Sequence, residues 1–217
     1  MSIDDGQENT MEDKRQHLAE LKLKLGDDKV RQTLSVYLAL SQFMLLVVSV
    51  LSFGRRKFSV VETVITVADV DPAVFLARLE RIFLSSDDEH KMMCFMACPD
   101  HYLISMTNDN SLEIIETTGG SPLPAQFFFR QGDEEGMRSE RDSTYDVQMH
   151  GAVRTKNGTV FGALRHQIRK EPNGAGLRVK LLIEFPGLVP NYMIRQHQVH
   201  LMCEFGHWFR NVLAMHS

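Results

Sequence analysis

The sequence predicts an α+β fold in which a curved antiparallel sheet packs on one long C-terminal helix. Residues 177–185 alternate between apolar and polar side chains, which is typical of a strand with one buried face. From Ile194 onward the apolar residues recur at a helical period and share one side of a helix. A long helix with one apolar side needs a large apolar surface to pack on, and a curved sheet supplies one.

Length and composition are those of a folded protein. The chain has 217 residues, of which 43% are apolar and 24% are charged, enough for one sizeable domain and an appendage. The formal net charge of −4 argues against a nucleic-acid partner, because nucleic-acid interfaces are basic. The three cysteines, Cys94, Cys98 and Cys203, are too few for a disulfide framework, and an odd number would leave one unpaired. We therefore expect reduced thiols.

Residues 1–32 are expected to form an acidic tail and a short helix. Acidic residues without any base make residues 1–13 resemble a disordered tail. Leucines on one stripe predict a helix over residues 11–25, which Gly26 ends.

The next segment, residues 33–54, contains 22 residues without a charge. About 20 apolar residues suffice to cross a bilayer as a helix, so we expect a transmembrane helix that projects away from the domain. The basic cluster Arg55-Arg56-Lys57 favours a single-pass membrane protein whose C-terminal domain is cytosolic. The alternative is a helix buried in a soluble core or in an oligomer interface.

The remaining elements are assigned to a domain over residues 58–217. Residues 58–67 are rich in β-branched side chains and predict the first strand. Asp71 and Pro72 are typical of a helix start, and this helix extends to Leu84. Asn157-Gly158 and Asn173-Gly174 predict tight turns in a final antiparallel meander. The other predicted strands cover residues 91–97, 101–106, 112–116, 125–130, 145–155, 159–170 and 177–185.

Two groups of residues are candidates for a metal site. Cys94 and Cys98 have His90 and His101 nearby, but their spacing matches no standard zinc knuckle and favours a buried strand. The second group lies on one stripe of the C-terminal helix, opposite the apolar side, where polar residues normally meet solvent. Its members are His197, His200, Glu204 and His207. We therefore predict no catalytic residue, no metal and no cofactor.

The order of elements resembles the helix-grip fold of StAR-related lipid-transfer domains, plant pollen allergens and polyketide cyclases. The segments FSVVETVITVADVDPAVFLARL and LRVKLLIEFPGLVPNYMI carry this resemblance, which covers about residues 58–217. A second short helix, which many members have, has no place in the predicted order unless residues 85–90 form a turn of it. A weaker resemblance is to the kinase-associated tail domain that binds acidic lipids.

The helix-grip resemblance implies a pocket between the sheet and the C-terminal helix that binds a lipid, a sterol or another hydrophobic molecule. The residues expected to line this pocket are Val179, Leu181, Ile183, Ile194, Leu201, Phe205 and Trp208. With the membrane helix, the implied function is membrane-tethered lipid binding or lipid transport.

Two other functions stay open. In a structural or scaffold subunit of a membrane complex, the pocket would be filled by its own side chains, and residues 33–54 would pack against membrane protein partners. A cyclase-like enzyme is disfavoured because no acid/base pair is visible in the sequence. An open pocket of several hundred Å³ would favour ligand binding.

Overall fold

The computed structural model describes residues 5–67, 69–85, 87–172 and 174–214. In this part of the chain the helices are α1 (Asp5–Leu25), α2 (Asp27–Leu51), α3 (Pro72–Leu84), α4 (Asp88–Ala97) and α5 (Asn191–Ala214). The strands are β1 (Arg56–Ile65), β2 (His101–Met106), β3 (Leu112–Glu116), β4 (Ala125–Gln131), β5 (Val147–Arg154), β6 (Val160–Lys170) and β7 (Leu177–Pro186).

The strands form one antiparallel sheet in the order β1-β7-β6-β5-β4-β3-β2. The first strand therefore pairs with the last, and each remaining strand pairs with its neighbour in sequence. This sheet, with the long C-terminal helix α5 and the hydrophobic helix α2, confirms the predicted α+β helix-grip architecture. The turn predicted at Asn157-Gly158 joins β5 and β6, whereas Asn173 lies outside the described residues.

The main core lies between one face of the sheet and helices α3 and α5. Val179 and Leu181 from β7 belong to the same buried cluster as Leu201, Phe205 and Trp208 from α5. The predicted pairing of these two apolar faces is therefore confirmed. Met202, one of the apolar residues predicted on the packed side of the C-terminal helix, is instead 57% exposed.

The opposite face of the sheet is covered near β2 and β3 by α2. Leu103 and Ile115 pack there against Val30 and Leu38, whereas the neighbouring Ile104 belongs to the main core. Because side chains alternate between the faces of a strand, apolar residues at consecutive positions indicate a sheet that is covered on both sides.

Polar contacts also fix α2 to the sheet. The Gln42 side chain donates to the Gln126 carbonyl at 2.6 Å and accepts from the Lys156 amide at 3.0 Å. Arg31 donates to the buried Glu113 carboxylate at 2.7 Å. The prediction that residues 33–54 project away from the domain is therefore wrong, because Gln42 within them binds β4 and the turn between β5 and β6.

Two other segments also differ from their predictions. Residues 91–97 belong to α4 rather than to a strand, and Asp87 caps this helix by accepting from the His90 amide at 3.0 Å. The segment is rich in methionine, which favours helices, and lacks β-branched residues. This helix is the second short helix for which the sequence left no place. Residues 5–13 are helical rather than disordered, because α1 begins at Asp5.

Gly158 and Gly206 allow a matched test of the backbone. Gly158 has φ = +84°, a conformation that strains other residues, whereas Gly206 lies inside α5 with open space where a Cβ would be. We expect Gly158→Ala to lower the free energy of unfolding by about 1 kcal/mol and Gly206→Ala to raise it by about 0.5–1 kcal/mol. Urea denaturation measures both. Equal signs for the two variants would contradict the assigned backbone conformations.

Candidate functional site

A cavity of about 120 Å³ lies between the inner face of the sheet and α5. Four of the residues predicted from the sequence line it: Ile183, Leu201, Phe205 and Trp208. The other three are also buried but lie in the packing around it. Val179 and Leu181 belong to the main core, and Ile194 belongs to a second cluster with Phe127 and Phe161.

The volume limits what the cavity holds in this conformation. It is smaller than the several hundred Å³ expected for an open lipid pocket. An apolar cavity of about 150 Å³ is large enough for benzene. The space therefore fits a small apolar group or part of a longer molecule. Four phenylalanines also line the cavity: Phe83 from α3, Phe127 and Phe129 from β4, and Phe161 from β6.

Part of the wall of this mainly apolar cavity is ionic. His101 Nε2 lies 2.7 Å from Glu116 Oε2 and 3.1 Å from Glu204 Oε1. His200 Nε2 lies 3.7 Å from the nearest oxygens of the same two carboxylates. The four side chains are between 3% and 13% exposed. We call these residues, His101, Glu116, His200 and Glu204, the ionic cluster.

The local structure explains how these residues meet. His101 begins β2 and Glu116 ends β3, and they are direct partners in the antiparallel register. His200 and Glu204 are four residues apart on α5, so they lie on one side of the helix. The two pairs face each other because α5 packs over this end of the sheet.

The prediction that this side of α5 faces solvent is therefore wrong for three of its four residues. His197 and Glu204 are buried, and the His200 side chain is 6% exposed. The reason is the helical geometry: His197, Leu201, Glu204 and Trp208 follow one another at intervals of three or four residues, so they share the side of α5 that lines the cavity. His207 is half-buried and its Nε2 lies 2.9 Å from Arg15 Nη1 of α1.

The two histidines of the ionic cluster hold their protons more tightly than free imidazoles. Burial alone would lower the pKa of His101, but the neighbouring Glu204 and Glu116 carboxylates outweigh it and raise this pKa to about 10. Burial is likewise outweighed at His200, where contacts with Cys98, Glu116 and Glu204 raise the pKa to about 12. The two imidazoles in turn lower the pKa of Glu116 against the effect of its burial. At pH 7 both imidazoles are therefore protonated.

Two other histidines, His166 and His197, also line the cavity, and their pKa values are lowered instead of raised. Burial lowers the pKa of His166 and of His197 to about 3, so both are neutral at pH 7. His166 Nδ1 accepts from the Leu182 amide at 3.3 Å, and its ring meets the Phe205 ring edge-on. The His197 ring lies 3.0 Å from the Ser59 hydroxyl through Nδ1.

The lowered pKa of His166 predicts that the stability of the folded protein depends on pH. Its folded pKa of about 3 lies below the unfolded value of 6.5, so the unfolded chain binds more protons between these two values. The contribution of the neutral His166 side chain to the free energy of unfolding is therefore fully present above about pH 6.5 and is lost as the pH falls toward 3. Asparagine keeps an acceptor near the position of Nδ1 and does not titrate. We expect the stability difference between the wild type and His166→Asn to shrink by about 2 kcal/mol from pH 7.5 to pH 5, as measured by urea denaturation at each pH. A difference that is constant over this range would show that folding does not lower the pKa of His166.

Comparisons with known proteins show only distant structural similarity. No protein-family model matches the chain, and no curated protein matches it. The chain is similar to the crystal structure of Ara h 8.0201, with 11% identity, a TM-score of 0.45, and coverage of 74% of this chain and 99% of that one. It is also similar to a putative uncharacterized protein from Rhizobium leguminosarum, with 11% identity, a TM-score of 0.29 and the same coverage.

Proposed function

We propose that the domain binds a small amphipathic molecule, with the apolar part in the cavity and a polar group at the ionic cluster. The observation that carries this proposal is a cavity walled mainly by apolar side chains, part of whose wall is ionic. Burying about 200 Å² of apolar ligand surface would contribute about 5 kcal/mol. The ionic cluster would select ligands that carry a hydroxyl, carbonyl or carboxylate group.

The size of the cavity limits which lipids or other hydrophobic molecules it can hold. A single alkyl chain fits a space of about 120 Å³ in part, and a sterol requires α5 to move away from the sheet. We therefore infer a single-chain lipid, such as a fatty acid or a fatty alcohol, as the preferred ligand.

Trp208 provides a direct test, because it is the only tryptophan of the chain and lines the cavity. We expect dodecanoate and dodecanol to change its fluorescence in a saturable titration. Val153→Phe should weaken binding at least about tenfold, because Val153 lines the cavity and the larger ring fills it. Val147→Phe is the matched control, since Val147 lies on the same face of β5 and packs in the core without lining the cavity.

A second candidate function is a scaffold subunit with a self-filled pocket, and the small cavity volume favours it. In that case neither ligand changes Trp208 fluorescence. Val153→Phe would then overpack the core and cost about 1–3 kcal/mol of unfolding free energy. Equal ligand affinities of the two phenylalanine variants would also contradict the proposed binding position.

We also propose that α2 attaches the domain to a membrane. The helix is long and apolar enough to span a bilayer, and in its most apolar stretch 17% of the residues are buried. Its exposed residues include Val36, Tyr37, Leu40, Phe43 and Val50. An apolar surface of this extent on one helix is typical of a membrane or protein contact.

The contacts of α2 favour attachment along the bilayer surface. Gln42 binds the sheet on one side of the helix, while Phe43 on the outer side is 64% exposed. A single-pass arrangement with a cytosolic C-terminal domain requires α2 to break these contacts. Arg55 is the exposed member of the basic cluster, because Arg56 pairs with Glu184 and Lys57 donates to the Val189 carbonyl.

Membrane extraction of the full chain separates these arrangements. We expect the protein to float with vesicles and to be released by carbonate washing, whereas a spanning helix resists carbonate. Val36→Glu with Phe43→Glu should abolish flotation. Val199→Glu with Met202→Glu, which alters two exposed apolar residues of α5, should leave it unchanged. A wild-type protein that stays soluble without vesicle binding would refute the attachment.

A further inference from the structure

Cys98 and His101 lie at the two ends of a tight turn between α4 and β2. The His101 amide donates to the Cys98 carbonyl at 3.1 Å, which brings the two side chains to the same side of the turn. Lys22 from α1 fixes this turn by donating to the Pro99 carbonyl at 2.6 Å and the His101 carbonyl at 2.5 Å. Two intervening residues are a usual spacing for ligands in structural zinc sites.

A third donor reaches this turn from α5. Cys98 Sγ lies 3.8 Å from His200 Nδ1, and the donor atoms of Cys98, His101 and His200 all lie within 4.8 Å of one another. A tetrahedral zinc ion with ligands at 2.0–2.3 Å needs donors about 3.5 Å apart. Closing the remaining gap requires side-chain shifts of about 1 Å.

The hydrogen bonds of His101 leave one ring nitrogen free for this role. Its Nε2 contacts the Glu116 and Glu204 carboxylates, whereas Nδ1 is buried and has no hydrogen-bond partner among the described residues. A buried nitrogen without a partner is costly. A carboxylate that accepts from one imidazole nitrogen while a metal binds the other is the usual outer-shell arrangement of zinc-binding histidines.

We propose that Cys98, His101 and His200 bind a divalent transition-metal ion, with zinc the best match to their donors. One thiolate and two imidazoles favour zinc over magnesium or calcium, which prefer oxygen ligands. His101 would bind through Nδ1, and Glu116 would accept from its Nε2–H. Of the three ligands, His101 and His200 also line the cavity. The ion would therefore have a coordination position open to the cavity, as in zinc sites with three protein ligands.

The competing arrangement is the metal-free ionic cluster, in which both imidazoles are protonated. Metal binding would displace one proton from each imidazole and the proton of the Cys98 thiol, because these groups bind metals only when deprotonated. The proposal can be tested without any hydrophobic ligand, so its outcome is independent of the function proposed above.

The test uses the full chain, freed of metal with a chelator and titrated with Zn²⁺ and with Co²⁺. We expect one ion per chain and, with Co²⁺, a thiolate-to-metal charge-transfer band in the near ultraviolet. Cys98→Ser should remove this band and weaken Zn²⁺ binding by more than about 100-fold, because loss of a direct ligand exceeds the effect of an outer-shell change. Cys203→Ser is the matched control, since Cys203 is exposed and outside the site.

X-ray absorption at the zinc edge tests the wild type itself, even if Cys98→Ser fails to fold. The proposal expects one sulfur neighbour at about 2.3 Å and two imidazole nitrogens. A zinc ion with oxygen neighbours alone, no bound zinc, or full Zn²⁺ affinity in Cys98→Ser would overturn it.

Discussion

Replacing Glu184 with alanine is expected to lower the free energy of unfolding by about 3–5 kcal/mol. Glu184 on β7 is 1% exposed and accepts from the Arg138 amide at 2.9 Å and the Ser139 amide at 2.7 Å. Its carboxylate also lies 3.7 Å from Nε of the buried Arg56 side chain. The alanine variant leaves two amides without their acceptor and a buried guanidinium without its counter-charge. Chemical denaturation monitored by circular dichroism measures the loss.

The matched control is Glu62→Ala on β1. Glu62 pairs with Arg178 at 2.9 Å, but its side chain is 44% exposed. Solvent screens such a pair, so we expect a loss below about 1 kcal/mol. Losses of equal size in the two variants would show that the Glu184 contacts do not organise the loop over residues 132–142.

Replacing Trp208 with alanine is expected to cost about 3–5 kcal/mol of unfolding free energy. Trp208 is 1% exposed, and its ring meets the rings of Phe83 and Phe205 edge-on at centroid distances of 4.2 and 4.9 Å. Alanine would enlarge the cavity and remove both aromatic contacts. Denaturation monitored by circular dichroism measures the change, because the variant lacks tryptophan fluorescence.

Two further variants test whether the loss of stability in Trp208→Ala comes from lost packing at this buried position. Trp208 Nε1 has no hydrogen-bond partner among the described residues, so Trp208→Phe gives up packing volume but no hydrogen bond. We expect it to cost less than half as much as alanine. Met202→Ala on the exposed side of the same helix should change stability by less than about 0.5 kcal/mol. A loss at Met202 as large as that at Trp208 would contradict the assigned orientation of α5.

Elements with local signals were predictable from the sequence. Asn157-Gly158 determines its hairpin through the backbone conformation of Gly158, and Asp71 with Pro72 begins α3 as expected. The alternation over residues 177–185 matches β7 because one face of that strand packs in the core. In each case the residues that carry the signal also make the contacts that stabilise the element.

The site was less predictable because it depends on contacts between distant segments. A regular hairpin of the predicted strands 101–106 and 112–116 would place Tyr102 opposite Glu116. The register shift next to His101 brings His101 to that position instead, so the sequence carried no signal for this contact. Glu204 did have a signal, since its spacing of three residues from Leu201 and four from Trp208 places it on the apolar side of α5. Gln42, an amide within the charge-free segment, was the one local sign that α2 binds the sheet.

The pairing of β1 with β7 has a consequence for the order of folding. Glu62 and Arg178, which pair across these strands, are 116 residues apart in the sequence. Closing so long a loop has a high entropic cost, which slows the folding of sheets with distant pairings. On the ribosome, β1 lacks its partner until β7 has emerged. During this interval the apolar residues of α2 and the edge of β1 are both exposed, so the nascent chain is expected to need a chaperone or an early membrane contact to avoid aggregation.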